Sequence, residues 1–566
     1  MKRNVRIFSM LLALICVMAT IPVMTVSASS ADLSAYADGA TYTAPDDTVY
    51  TVVKSLDELN KHTTMSGNLI LGADIDYTNQ KHTAINLNGY ILDGNGYAMY
   101  GINVVGSGDM GLFTKSTSGT IRNLSIGLPD REITMEGTGS GKSSGVLVGY
   151  MSNSALTVDH VNIYANITTS KNTVGGFVGN IGAGANLTIT NSCFYGSMSD
   201  TAGNPSGGFV GKIGGAATVT ITNCVNYGAV SNTANTGGFI GELYLSAVSA
   251  TATITNCVNA GNITGGNTSG FVGSQSGSNN TATLPIVNIE GCLNTGHIQG
   301  TRATGFVSWI GQKWFELTLK NSVNLGTIHA TGADGASGLI GRFVGGLSID
   351  TCGSFGAITA SDTNFGVIAT DTGWTPKKVE KLHYAELTNA KDLEKIGGYT
   401  GSTSMSIAEG IAWTNELLGD VLGDVILNAD GTGAVLADPT FVGVQKSNST
   451  AGKIRLVATL NDSLRYSAVG FEVALEGGNT ITKECNSVYE KLLSTNDQGF
   501  ASEVNAADLY GRYLYALAIE NIPTTGNVTL TVTPYGKDLN GTTVYSGDSY
   551  QLVFVDGALT SVSACA

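Results

Sequence analysis

Charge, proline and tryptophan are all scarce in this chain. Only 13% of its 566 residues are Asp, Glu, Lys or Arg, and the acids outnumber the bases to leave a formal net charge of -15. Nucleic-acid binding needs clustered Lys and Arg over phosphates, and attachment to an anionic membrane needs the same, so the balance argues against both partners. After the first 28 residues, no stretch reaches the roughly 18 apolar residues that a spanning helix needs. His-Glu-x-x-His and Cys-x-x-Cys do not occur. No Gly-x-Ser-x-Gly elbow or phosphate loop appears with its strand and helix context. His62, His82, His160, His297, His329 and His383 are scattered, so no metal site and no cofactor is expected.

The chain starts with a basic cluster, Lys2, Arg3 and Arg6, followed by an apolar run to Val26 and the small residues Val26-Ser27-Ala28. This reads as a secretory signal peptide, residues 1–28, cut after Ala28. An uncleaved anchor is the alternative, disfavoured by Thr20 and Pro22 inside the run. Of eight cysteines, Cys16 falls within the signal and seven remain.

Glycine is the abundant residue, with 75 copies, but 42% of residues are hydrophobic, enough for a core. The glycines punctuate a repeat. Gly-Gly-Phe-Val-Gly begins at Gly175 and Gly207, with variants at Gly145, Gly237, Gly270, Gly305 and Gly338. A second strand ends at one column, read as Val161, Ser192, Cys224, Cys257, Cys292, Ser322 and Cys352, with separations of 31, 32, 33, 35, 30 and 30 residues. Between them, apolar positions alternate with Thr, as in Thr218-Val219-Thr220-Ile221-Thr222. That is the period of a half-buried strand. Units this short bury their inner faces only by stacking, so the pattern predicts a parallel β-solenoid with Val219 and Ile221 inside and the threonines outside. A propeller competes less well because thirty residues are few for a four-stranded blade. Stacking favours a reduced packing ladder of small side chains for the cysteine column, with a disulfide between neighbours as the alternative that the Cα spacing also allows. Asn226, Asn259, Asn294 and Asn324 form a second column of amides along a turn.

Gly-[Gly/Ser]-Phe-Val-Gly followed by Thr-Ile-Thr-Asn-Cys-x-Asn-x-Gly resembles the GLUG repeats of bacterial surface proteins, which also accompany streptococcal-type immunoglobulin A proteases. The text before it, with Gly72-Ala73-Asp74-Ile75-Asp76 and Asp93-Gly94-Asn95-Gly96-Tyr97, resembles the lead-in of such β-helices. The resemblance covers about residues 50 to 370. It implies an all-β chain: a right-handed parallel β-helix of the pectate-lyase-like kind, about 30–35 residues per coil. From Phe441 the strands KIRLVATL, VGFEVAL, YLYALAIENI, NVTLTVTPYG and SYQLVFVDG predict a small antiparallel, Ig-like β-sandwich, and the segment resembles a module of secreted clostridial proteins. The expected organisation is residues 29–110 as N-terminal cap and first coils, 111–370 as repeats, 371–440 as terminal coil, cap and linker, and 441–566 as sandwich. Within 371–440, the stretch from Thr375 to Gly398 carries helix-forming patches. A bridge between Cys485 and Cys565 and two free thiols are both compatible with the spacing.

Two functional readings follow. Trp309 and Trp314 stand where other coils carry small or polar residues, Tyr150 shares the register of Trp309, and Tyr244 follows nearby. Exposed rings on a rigid scaffold suit a glycan or a glycoprotein, which points to an adhesin-like binding protein, secreted or held at the surface of a Gram-positive bacterium. Their alternative role is turn or edge packing. The second reading is a polysaccharide lyase or glycoside hydrolase. Its best catalytic candidates are Glu290, Lys320 and Asp350 on successive coils, with the carboxylates two strand spacings apart, roughly 9.6 Å. Against it stands a plain surface charge ladder in which Lys320 bridges two acids. Asp74 and Asp76 share a strand face and could hold structural calcium, though the lead-in accounts for them without it.

Overall fold

A computed structural model describes residues 31–565, except for 139–141, 245–249, 277–285, 312–314, 361–364, 369–375, 386–402, 428–430, 447–453, 461–465, 490–512, 539–542, 546–548 and scattered single residues or pairs. The signal-peptide reading lies outside the described residues. The chain is all-β, with a solenoid of about eight turns followed by separate antiparallel sheets.

One coil shows how the repeat folds. Strand Thr218–Thr222 leads through Asn223 into the short pair Val225–Asn226, then into Ala229–Asn232, Thr236–Gly237 and Ile240–Tyr244. Each strand pairs in parallel with its counterpart one repeat away: Thr218 faces Asn186 on one side and Thr251 on the other. Val219 and Ile221 are buried, and Thr218, Thr220 and Thr222 point outward. Each such apolar side chain contributes about 1.5–3 kcal/mol when fully buried. The turn after the strand needs a left-handed residue. Asn191, Asn223, Asn256 and Asn321 have φ between 46° and 54°, His160 takes the same place at 51°, and Gly291 at 65°. Asn tolerates that region because its short amide bonds locally.

Three ladders fill the interior. Phe177, Phe209, Phe239, Phe271 and Phe306 stack face to face with centroids 4.7–4.9 Å apart. This is the strand spacing carried into side chains. The Asn column is also inside. Asn226 Nδ2 donates to Asn259 Oδ1 at 2.7 Å, Asn259 to Asn294 at 2.8 Å, and Asn294 to Asn324 at 2.7 Å. The second N–H of each amide goes to the carbonyl two residues on, as from Asn259 to Gly261 O at 3.1 Å. The glycine before Phe239 leaves no room for a side chain: a Cβ on Gly238 would stand 2.2 Å from Gly270 O of the next coil and 2.3 Å from Asn259 Oδ1.

The cysteine column is sharper than a requirement for small size. Cys224 Sγ–H donates to Thr222 O at 3.2 Å and Cys292 Sγ–H to Glu290 O at 3.3 Å. Ser192 and Ser322 hydroxyls make the same bond at 2.7 Å. The position takes a small side chain that can donate to the carbonyl two residues back, and Val161 is its apolar exception. All seven described cysteines are free, and of these only Cys565 is exposed. Burial pushes the thiols of Cys352 and Cys485 up to about 12. A thiol-reactive dye at pH 8 is therefore expected to label one group on a folded chain lacking residues 1–28 and seven after denaturation. Rapid labelling of two or more in the folded chain would contradict the buried ladder.

At the N-terminal end, Thr41–Thr43 pairs antiparallel with Val49–Val53, which in turn starts the parallel stack on Asn68–Leu71. At the other end the sequence expectation needs correction. Within the stretch read as helix-forming, Lys378–Ala385 is a strand in parallel register with Gly346–Ser354, and residues 386–402 lie outside the described part. The exposed sheet edge templates this segment, and Val379 and Leu382 turn inward. The helix comes later, at Ile407–Leu422. Ser406 and Glu409 cap it reciprocally, Glu409 N–H to Ser406 Oγ at 3.2 Å and Ser406 N–H to Glu409 Oε2 at 2.8 Å. Its apolar side packs on Leu293, Val323, Leu325 and Phe355, flanking the solenoid. Beyond it, a four-stranded and a six-stranded antiparallel sheet share one core, with Phe441, Leu456 and Tyr515 from the first against Phe471, Val532 and Phe554 from the second.

Candidate functional site

The strands after each Phe place one outward residue per coil in a single file. Register runs from Tyr150 to Asn180, Lys212, Glu242, Ser274, Trp309 and Arg342. Tyr150 and Trp309 thus share a column, five coils apart. Tyr244 lies two residues beyond Glu242 on the same face and is 38% exposed. Among the described residues, Trp309 and Tyr150 are partly exposed. Trp314 lies outside the described residues.

Polar contacts hold the middle of this face. Lys212 Nζ is 3.0 Å from Glu242 Oε2 and 4.5 Å from the centre of the Tyr244 ring. The ammonium therefore bridges a carboxylate and an aromatic face. Ser276 Oγ bonds the other Glu242 oxygen. Ser274, although in the outward file, is fully buried, and its hydroxyl has no partner among the described residues. The same is true of Trp309 Nε1, one strand away. On the inner side of the same strand, Gln275 interrupts the apolar file of Ile181, Ile213, Leu243 and Ile310. It is 2% exposed; its Nε2 donates to Ser276 O at 3.1 Å, and its Oε1 has no described partner. An unmet buried polar group costs about 1–3 kcal/mol, and the next coil carries the same kind of cost at Thr304 and Ser308. Lys212, Glu242, Ser274 and Gln275 were not singled out from sequence. The signal was there in GELY and GSQS, which break the Ile-Gly pattern when the repeats are aligned.

Glu290, Lys320 and Asp350 also share a column, which Glu380 continues. They lie on the outer face of a flat sheet. Lys320 Nζ meets Glu290 Oε1 at 2.7 Å with both side chains nearly half exposed, and that hydrogen bond raises the Lys320 pKa above its usual value. Asp350 pairs instead with Lys378, at 3.7 Å, and Lys378 also meets Glu380 at 3.0 Å. This is a lateral ion-pair ladder, and exposed pairs of this sort are worth about 1 kcal/mol or less. In the lead-in, Asp74 accepts from Ala98 N–H at 3.0 Å and Asp76 from Thr78 N–H at 2.7 Å. Among the described residues, no three His, Cys, Asp or Glu are grouped as metal ligands.

No family model and no curated protein matches the chain. A solved structure that resembles it is described as "a putative immunoglobulin A1 protease from Bacteroides ovatus". The identity is 14%, the match covers 70% of this chain and 93% of that one, and the TM-score is 0.33. A likeness at that level carries nothing about activity, and the fold described above stands on this chain's own strand register.

Proposed function

We propose that the chain is a secreted or surface-associated, adhesin-like protein that uses the solenoid as a rigid scaffold for binding a glycan or glycoprotein. The observation that supports this reading is the outward file holding Tyr150 and Trp309, with Tyr244 beside it. Such rings bind through stacking on sugar faces, while Lys212 and Asn180 supply polar contacts to hydroxyls. A scaffold of stacked sheets holds these groups without the entropy loss of ordering loops on binding. The alternative, a lyase or glycosidase, needs carboxylates that converge on a bound sugar, whereas Glu290 and Asp350 are neutralised sideways on an exposed sheet.

Changing Trp309 to Ala is expected to weaken binding to a glycan or mucin array about two- to tenfold, the worth of one stacked ring. Circular dichroism and the melting curve should stay close to those of the parent. Full retention of array binding by W309A would remove this face from the reading.

A further inference from the structure

The turn around each buried Phe is closed by glycine against glycine until the coil of Phe271. One column of this turn runs Gly145, Gly175, Gly207, Gly237, and then changes to Ser269 and Thr304. The column facing it is also glycine, as at Gly273 between Val272 and Ser274. One coil on, Ser308 takes that place between Val307 and Trp309. The two columns touch. A Cβ on Gly145 would stand 2.4 Å from Gly179 N, one on Gly175 2.8 Å from Gly211 N, and one on Gly207 2.7 Å from Gly241 N. The same step one coil after another brings Ser269 against Ser308. Thr304 completes the group: it pairs with Ser269, and its Cγ2 lies 3.0 Å from where a Cβ on Gly341, next in the Ser308 column, would stand.

Three side-chain hydroxyls therefore converge in a turn that glycine lines in the coils before. Ser269, Thr304 and Ser308 are wholly buried, and each hydroxyl lacks a hydrogen-bond partner among the described residues. Hydroxyls on paired strands can meet directly, as Thr173 Oγ1 and Ser143 Oγ do at 2.6 Å. These three do not. The backbone has widened to admit them: strands Ile263–Ser269 and Ile298–Thr304 run unbroken, whereas the coil before is divided into Ala229–Asn232 and Thr236–Gly237.

We infer that this turn encloses one bound water, held by Ser269 Oγ, Thr304 Oγ1 and Ser308 Oγ. A buried water makes about three hydrogen bonds to groups otherwise left unmet, and each hydroxyl can donate to it or accept from it. A metal cation suits the turn less well. All three groups are neutral, an uncompensated buried charge is costly, and Arg302 Cδ passes 3.1 Å from the same Gly341 position. Because Ser308 directly precedes Trp309, the water braces from inside the strand that presents the ring.

The sign of a melting shift tests this in the full chain. Thr304→Val keeps the branched shape and removes one hydroxyl. With the water in place, the variant leaves it a bond short, and the melting temperature is expected to fall by about 2 °C or more. In a dry turn the same change removes an unmet polar group, so the melting temperature would rise or stay level. A high-resolution crystal structure of the parent chain gives the second measurement, with a water expected about 2.8 Å from all three oxygens. A rise or no change in the T304V melt overturns the bound water. So does an empty turn in the crystal, or an anomalous signal there after bromide exchange, which marks a halide in its place. Should T304V fail to fold, the crystal structure of the parent decides.

Discussion

Asn259→Leu is expected to destabilise the solenoid by about 3 kcal/mol or more, because three buried groups lose partners at about 1–3 kcal/mol each. Leucine keeps the branched shape of asparagine and is larger, so the loss comes from hydrogen bonds and crowding rather than from a cavity. Asn226 Nδ2 loses its 2.7 Å acceptor, Asn294 Oδ1 its 2.8 Å donor, and Gly261 O its 3.1 Å donor. None of these regains water, since Asn226 and Asn294 are fully buried. Packing adds to the cost, as the absent Cβ of Gly238 marks how tightly the backbone presses on this amide. The check is guanidinium unfolding followed by circular dichroism, alongside amide exchange on the coils from Thr218 to Asn294. Stacked repeats need not unfold in one step, so exchange should report the loss first in those coils. A midpoint within about 0.5 kcal/mol of the parent, the usual range for an exposed neutral site, would show that the ladder is not a stabilising element.

Phe239→Ala carries a similar or larger effect through a different mechanism. The ring lies 4.7 Å from Phe209 and 4.9 Å from Phe271, at planes tilted by 10° or less, and is wholly buried. Truncation removes transfer energy and leaves a cavity, together about 3–5 kcal/mol. Neighbouring coils are fixed by their own backbone pairing, so they cannot close over the gap, which places the value toward the upper end. Phe239→Leu should cost less than half as much, since most of the volume is kept. Thr220→Ala on the outward face of the same coil should fall within about 0.5 kcal/mol of the parent. If the alanine at 239 proves as mild as the one at 220, the aromatic stack is ornamental to stability.

Much of the scaffold can be read from residue order because each coil repeats one solution. Alternation at Thr218 to Thr222 gives the inward pair, and the recurrence of Asn before the cysteine column marks the left-handed turn. The sandwich is likewise legible in its apolar strand segments. Other features are not legible at the same level. Phe recurs in every Gly-Phe-Val-Gly, yet its stacking depends on register between coils. The segment from Lys378 looks helical by composition, but an open sheet edge supplies hydrogen bonds that local preference cannot outweigh. The helix from Ile407 was missed although the Ser406-x-x-Glu409 cap announces it. For the candidate site, the departures at Tyr150, Trp309 and Tyr244 stand out on alignment. The surrounding Lys212, Glu242 and Ser274 gain meaning only when parallel pairing puts residues about thirty apart into one file.

The amide ladder has a direction, and that bears on how such a chain can change its length. Every Nδ2 points toward the next coil. The run begins beside Phe194, where Asn226 Oδ1 has no described partner, and closes on Ser354 Oγ at 3.3 Å. A duplicated coil inserted anywhere between Asn226 and Asn324 finds a donor on one side and an acceptor on the other, and simply extends the chain of amides. The same insertion beside Phe194 only moves onto the new coil the unpartnered amide oxygen that Asn226 now carries. Gain or loss of a repeat along this ladder therefore leaves its bonding unchanged, and each event would also change the length of the outward file by one step.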